Sequence, residues 1–256
     1  MSTQQLFQVA GVDGCKAGWL VSVISAIQVS TAANTSCTYI LQDLWVTHAF
    51  KEVFSRTAQL ELICVDIPIG LSDGDKPREC DLAARGVLHG QRASSVFPAP
   101  IRPCLSTNEY KVANAICRKF SSKGLSKQSF ALLDKIRQVD DLMTPALQQR
   151  VREIHPEISF WALNSKKPIR QNKKTVPGQA QRHRLLQGVF TDMDSILAQA
   201  PLRGYVMDDA LDALAAAWTA AQAVLGKAET LPENPELDSK GLRMEILYPA
   251  GGKNQK

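Results

Sequence analysis

The sequence predicts an α/β fold: a mixed sheet of three antiparallel strands followed by parallel strands, flanked by helices and carrying a mainly helical insertion. Three observations lead there. Glycine-bounded apolar runs open the chain at hairpin spacing, the order that follows is strand, strand, strand, helix, strand, and a helix rich in Ala and Leu comes near the end.

Phe7 to Val12, Trp19 to Ile24 and Cys37 to Leu41 read as strands, joined by short turns, the last connection being the polar stretch Gln28 to Ser36. Between the first two, Gly14 and Gly18 permit the positive φ that a reversal needs, which puts Asp13 at the lip of a turn. Asp43 reads as the N-cap of a helix running through Ser55, with Leu44, Phe50, Val53 and Phe54 near helical spacing. Leu60 to Val65 is a short β-rich run of the kind that makes a central strand, and it ends in Asp66-Ile67-Pro68. Antiparallel hairpins followed by a helical crossover imply a mixed sheet.

The whole chain, 1–256, reads as one domain with an insertion at about residues 76–152. Within the insertion, Arg78 to Leu88 and Tyr110 to Lys119 are expected helices, Ser94 to Pro100 is extended or irregular, and Phe130 to Arg152 is helical with a break at Pro145. Ile154 to Leu163 alternates and reads as another strand. A helix from Gln179 to about Phe190 comes next, then the clearest helix of the chain, Met207 to Leu225, stopped by Gly226. Glu229 to Lys240 reads as a loop and Leu242 to Tyr248 as a last strand.

Composition is that of a globular protein, 45% hydrophobic and 21% charged, so a large core is available without staples. No apolar run approaches the ~20 residues that span a bilayer and the N-terminus lacks a signal pattern, so a cytoplasmic location is expected. The six cysteines are scattered without a C-x-x-C pair, which reads as reduced thiols and argues against structural zinc. Net charge is +5, and Asn164 to Thr191 carries Lys166, Lys167, Arg170, Lys173, Lys174, Arg182 and Arg184 with no acid among them. Such a run is either a solvated face or an anion-binding one.

Acids recur where elements end. Asp13 closes the first strand and Asp66 the central one, Glu157 sits in the later expected strand, and Asp209 and Asp212 share one side of the last helix. Asp13 alone is explained by turn chemistry, and Asp208 and Asp209 by capping; Asp212, a turn further in, is not. Unpaired carboxylates brought together are costly unless cations neutralise them, and hard oxygen ligands suit Mg²⁺ or Mn²⁺.

The motifs VDGCKAGW, DIPIGL, CDLAAR, SSVFPAP, HPEISF, KKT and DDALDALAAAW together resemble the family called domain of unknown function 429, described as predicted nucleases of ribonuclease H fold. The resemblance spans Val12 to Trp218 and implies a ribonuclease H-like sheet. It also implies a divalent-metal nuclease that hydrolyses phosphodiester bonds of nucleic acid by a two-metal mechanism. On it Asp13 and Asp66 would be metal ligands, with Asp209 or Asp212 as the helix ligand and Glu157 a fourth acid; the string from Asp209 to Asp212 also resembles the metal-binding helix of Holliday-junction resolvases, from whose pattern Asp66 departs in being followed by Ile-Pro.

Around the acids, Arg92, Ser94 and Ser95 either bind phosphate oxygens or belong to a rigid loop, and His155 is either a proton shuttle or a structural residue. Lys173, Lys174 and Thr175 are expected near the carboxylates as substrate contacts. Two other readings use the same residues: an ATP-binding phosphotransferase of actin or sugar-kinase type, and an inactive module that binds nucleic acid or protein.

Overall fold

The computed structural model describes residues 3–31, 34–74, 76–121, 124–199 and 204–250. Its sheet has five strands: β1 (Thr3–Cys15), β2 (Gly18–Ser30), β3 (Thr35–Thr47), β4 (Leu62–Val65) and β5 (Val151–Glu153). They lie in the order β3-β2-β1-β4-β5, with β1 to β3 antiparallel and β4 and β5 parallel to β1. This is the expected mixed sheet, three antiparallel strands followed by parallel ones. Helices α1 (Phe50–Arg56), α2 (Glu79–Leu88), α3 (Tyr110–Phe120), α4 (Lys127–Ala131), α5 (Leu133–Asp140), α6 (Pro156–Leu163), α7 (Val176–Gln187), α8 (Met193–Gln199) and α9 (Met207–Val224) accompany it, with a small hairpin of β6 (Ala228–Leu231) and β7 (Ile246–Pro249). No helix among the described residues is long and apolar enough to cross a membrane.

Strand periodicity sorts the core into two layers. Val9 on β1, with Leu62 and Cys64 on β4, buries itself toward α9, where Leu211, Leu214 and Trp218 meet it. Ala10, Val12, Ile63 and Val65 face the other way, toward Phe50 and Val53 of α1 and Ile136 and Val139 of α5. The same parity runs on through β1 and one residue past β4, so it aims Asp13 and Asp66 at the α9 side. In register Val12 pairs with Val65, and the Asp66 N–H donates to the Val12 carbonyl at 2.9 Å, so the two acids emerge side by side.

The turn between β1 and β2 is tighter than expected. Only Gly18 takes a positive φ (+129°), and a Cβ there would meet the Thr47 carbonyl at 2.2 Å.

Four expectations are corrected. Asp43 is not a helix cap: β3 runs on to Thr47, because a bulge at Gln42 resets the alternation so that Leu44 and Val46 pack against one layer and Trp45 against the other. The helix begins only at Phe50. Phe130 to Arg152 is two short helices and a 3₁₀ turn that give way at Val151 to β5, a strand of three residues, too short for periodicity to reveal. Of the stretch Ile154 to Leu163 only Ile154 forms a β-bridge, and Pro156–Leu163 is helical; His155 caps the helix and Pro156 holds its first position, where a missing N–H costs nothing. Part of the Glu229 to Lys240 loop is β6, paired with β7. Ala32 and Ala33, in the connection from Gln28 to Ser36, lie outside the described residues.

Helix α9 lies against β1 backbone to backbone. A Cβ on Gly11 would sit 2.0 Å from the Ala213 carbonyl oxygen and 2.1 Å from the Ala217 nitrogen, backbone atoms with nowhere to go. Gly11→Ala is therefore expected to cost about 3 kcal/mol or more, the upper range of overpacking penalties. Urea unfolding checks this, and a wild-type midpoint would show that the helix yields.

Candidate active site

Three carboxylates converge at the ends of β1 and β4. Asp13, Asp66 and Asp212 each offer one oxygen, and these lie within 4.8 Å of one another. Asp13 and Asp212 are buried and Asp66 is half-buried. Burial, and then the charges of Asp66 and Asp212, raise the Asp13 carboxyl well above its ordinary range. Burial likewise lifts Asp212 to about 7, against the pull of Lys173.

Lys173 is the nearest cation. Its Nζ lies 2.5 Å from Asp212 Oδ2. Burial lowers its pKa, but Asp212, Asp13 and Asp66 outweigh that and raise it, so the ammonium stays charged. The other oxygen of the pair, Asp212 Oδ1, is buried without a hydrogen-bond partner. An orphaned carboxylate oxygen in an all-carboxylate donor set fits a hard divalent cation such as Mg²⁺ or Mn²⁺.

The other acids of the sequence reading are elsewhere engaged. Asp209 Oδ2 accepts the Val206 N–H at 2.9 Å and so caps α9. Glu157, in the first turn of α6, accepts from the Arg182 Nη2 at 2.6 and 2.9 Å and pairs with Arg92 at 2.7 Å. Arg182 is fully buried. This pairing fixes Arg92 beside the site as a partner of Glu157.

His155 uses both ring nitrogens: Nδ1 accepts the Glu157 N–H at 3.2 Å, which leaves Nε2–H to face the Ser95 carbonyl at 3.4 Å. Ser94 and Ser95 belong to a 3₁₀ turn, Gly90–Ser95, with Arg92. Thr175 caps α7 through the Gly178 N–H. Lys174 is exposed.

A groove of about 750 Å³ runs beside the Asp13 hairpin, lined by Lys16, Lys173, Lys174, Tyr205, Asp208 and Asp209 among others. Sequence reasoning missed Lys16, although it stands inside VDGCKAGW, and it missed Lys135. Lys135 comes from α5, and its stem crosses Gly14 so closely that a Cβ there would meet Cδ and Cε at 2.9 Å. No local pattern announces that contact.

A second group, Cys80, Asp81 and Glu153, also has metal-ligand spacing. Arg78 already fills it, with Nη2 2.6 Å from Glu153 Oε2 and 2.8 Å from Cys80 Sγ. Burial nonetheless pushes Glu153 up to about 8. Cys80 and Asp81 of CDLAAR thus join Arg78 and Glu153 in a buried polar network. All six cysteines are free thiols.

Two outcomes follow. Arg182→Lys keeps the charge but loses the two-pronged contact with Glu157, and is expected to cost about 3 kcal/mol in urea unfolding; a loss under about 1 kcal/mol would mean that Arg92 alone suffices. The second concerns pH. Asp212 titrates near 3.8 when unfolded and near 7 when folded, so the folded chain holds a proton that the unfolded chain releases, and stability falls as pH rises from about 4 to about 7. In chelator, the wild-type Tm should drop between pH 5 and pH 8 by more than that of Asp212→Asn; equal drops would exclude Asp212 as the source.

The family described as "Protein of unknown function (DUF429)" matches residues 11–237. No curated protein matches the chain. Among solved structures, the "Thermus thermophilus RuvC structure" is similar at 14% identity and a TM-score of 0.35, covering 86% of this chain and 96% of that one. So remote a likeness carries nothing about activity.

Proposed function

The chain belongs to the DUF429 family, and from that premise we propose that it is a divalent-cation-dependent nuclease, hydrolysing phosphodiester bonds of nucleic acid. The observation that carries this reading is the meeting of Asp13, Asp66 and Asp212, together with the buried, unpartnered Asp212 Oδ1. These three would hold the ion; when bound, Mg²⁺ or Mn²⁺ supplies a water of lowered pKa and offsets charge on the phosphoryl oxygens.

The chain's own residues do the rest. Lys16 and Lys174 line the groove and attract a phosphate backbone regardless of its sequence. Arg92 and Arg182 neutralise Glu157, so this acid, whose charge reaches Asp212, does not repel that backbone. His155 positions α6 rather than moving a proton. The insertion belongs to the same domain on this reading, since it lays Lys135 across Gly14, a residue that lines the groove.

The test is cleavage of end-labelled single-stranded and duplex DNA, RNA and a four-way junction in Mn²⁺, with Asp66→Asn and Asp212→Asn as controls. Turnover in the wild type should fall by about a hundredfold or more in either variant. Cleavage at the wild-type rate in both, or in chelator, would refute the proposal.

A further inference from the structure

We propose that the site takes a single divalent cation and that Lys173 stands where a second would act, its ammonium held against Asp212 as a built-in positive charge. The proposal rests on the metal-dependent reading above and replaces the two-ion arrangement anticipated from the sequence.

The ligand inventory points this way first. Two ions about 3.5–4 Å apart need a carboxylate that spans them and further acids on either side. Here Asp13, Asp66 and Asp212 converge on one position. The acids expected to complete a second position are committed, Asp209 to the Val206 N–H and Glu157 to Arg182 and Arg92. Asp212 is itself divided: Oδ2 receives the Lys173 ammonium and Oδ1 remains open. It has the form of a bridging carboxylate with a lysine on one side.

Charge supports the same count. Three carboxylates and one ammonium are neutralised by one divalent ion; a second would leave two uncompensated positive charges in a mostly buried site.

Lys173 is also built in. The Arg182 Nη1 donates to the carbonyls of Gly178 at 2.9 Å and Gln171 at 3.3 Å. The Asn172 carbonyl accepts from the Thr175 N–H at 3.0 Å and hydroxyl at 2.8 Å, and a Cβ on Gly178 would lie 1.9 Å from that oxygen. Ile169 is buried in the core. These contacts fix the backbone on both sides of Lys173, and their base is the Glu157–Arg182 pair. Glu157 is thus a positioning residue at one remove: it sets Arg182, which sets the loop that sets Lys173.

The experiment is calorimetric titration of Mn²⁺ into the full chain, with electron paramagnetic resonance of the loaded protein. One Mn²⁺ per chain and the six-line spectrum of an isolated ion are expected. Lys173→Met, its fold verified by circular dichroism, should bind its first Mn²⁺ about tenfold more tightly or better, because a unit charge at contact distance is gone. It should also admit a second, with the broadened spectrum of a coupled pair. Lys173→Arg should stay at one. Two ions in the wild type would overturn this proposal while leaving the nuclease reading intact, as would Lys173→Met with wild-type affinity. No Mn²⁺ bound in the wild type would overturn both. The wild-type stoichiometry and spectrum decide the matter even where a variant fails to fold.

Discussion

The site depends on how closely α9 lies on β1. Backbone meets backbone at Gly11, and the helix answers with Ala213, Ala216 and Ala217, residues small enough to allow it. The Ser22 hydroxyl secures the contact, with its oxygen 2.8 Å from the Ala213 carbonyl and 3.3 Å from that of Gly11. Asp212 directly precedes Ala213, so the approach that excludes a methyl group also carries this carboxylate to Asp13. A larger residue at Gly11 would push α9 outward and open the cluster.

Much of this could be read from the residues. The two-residue alternation Val9, Gly11, Asp13 and Leu62, Cys64, Asp66 places both acids on one face, and the apolar face of α9 had to cover it. Asp212 stood out because capping could not explain it. What escaped had non-local causes. Ile154 to Leu163 alternates well enough for a strand, yet Pro156 and a capping His155 start a helix whose buried face is completed by Thr219 on α9, bonded to Ser159 at 2.8 Å. β5 is too short to show a period. The bulge at Gln42 imitated a change of element.

The basic stretch illustrates the same limit. By composition its cations look alike, but the fold sorts them: Arg182 is entirely inside, Lys173 half inside, and Lys174 exposed in the groove. A buried arginine pairing with a buried glutamate adds little net stability, since desolvation offsets most of the attraction. Its worth here is geometric, because a planar guanidinium with five donors can hold a carboxylate and two carbonyls in fixed relation. Sequence spacing cannot identify which cation in a run will do this.

The three convergent acids come from the first strand, the fourth strand and the last long helix. An ion between them would therefore tie together segments that a long stretch of chain separates, and its binding energy would count toward folding as a removable staple. Closing so long a loop costs only slightly more than closing a shorter one, because the entropy grows with the logarithm of length. Cation supply would then govern the cohesion of the molecule as well as its chemistry, with depletion loosening the seam between β1 and α9 before the β1–β2–β3 meander.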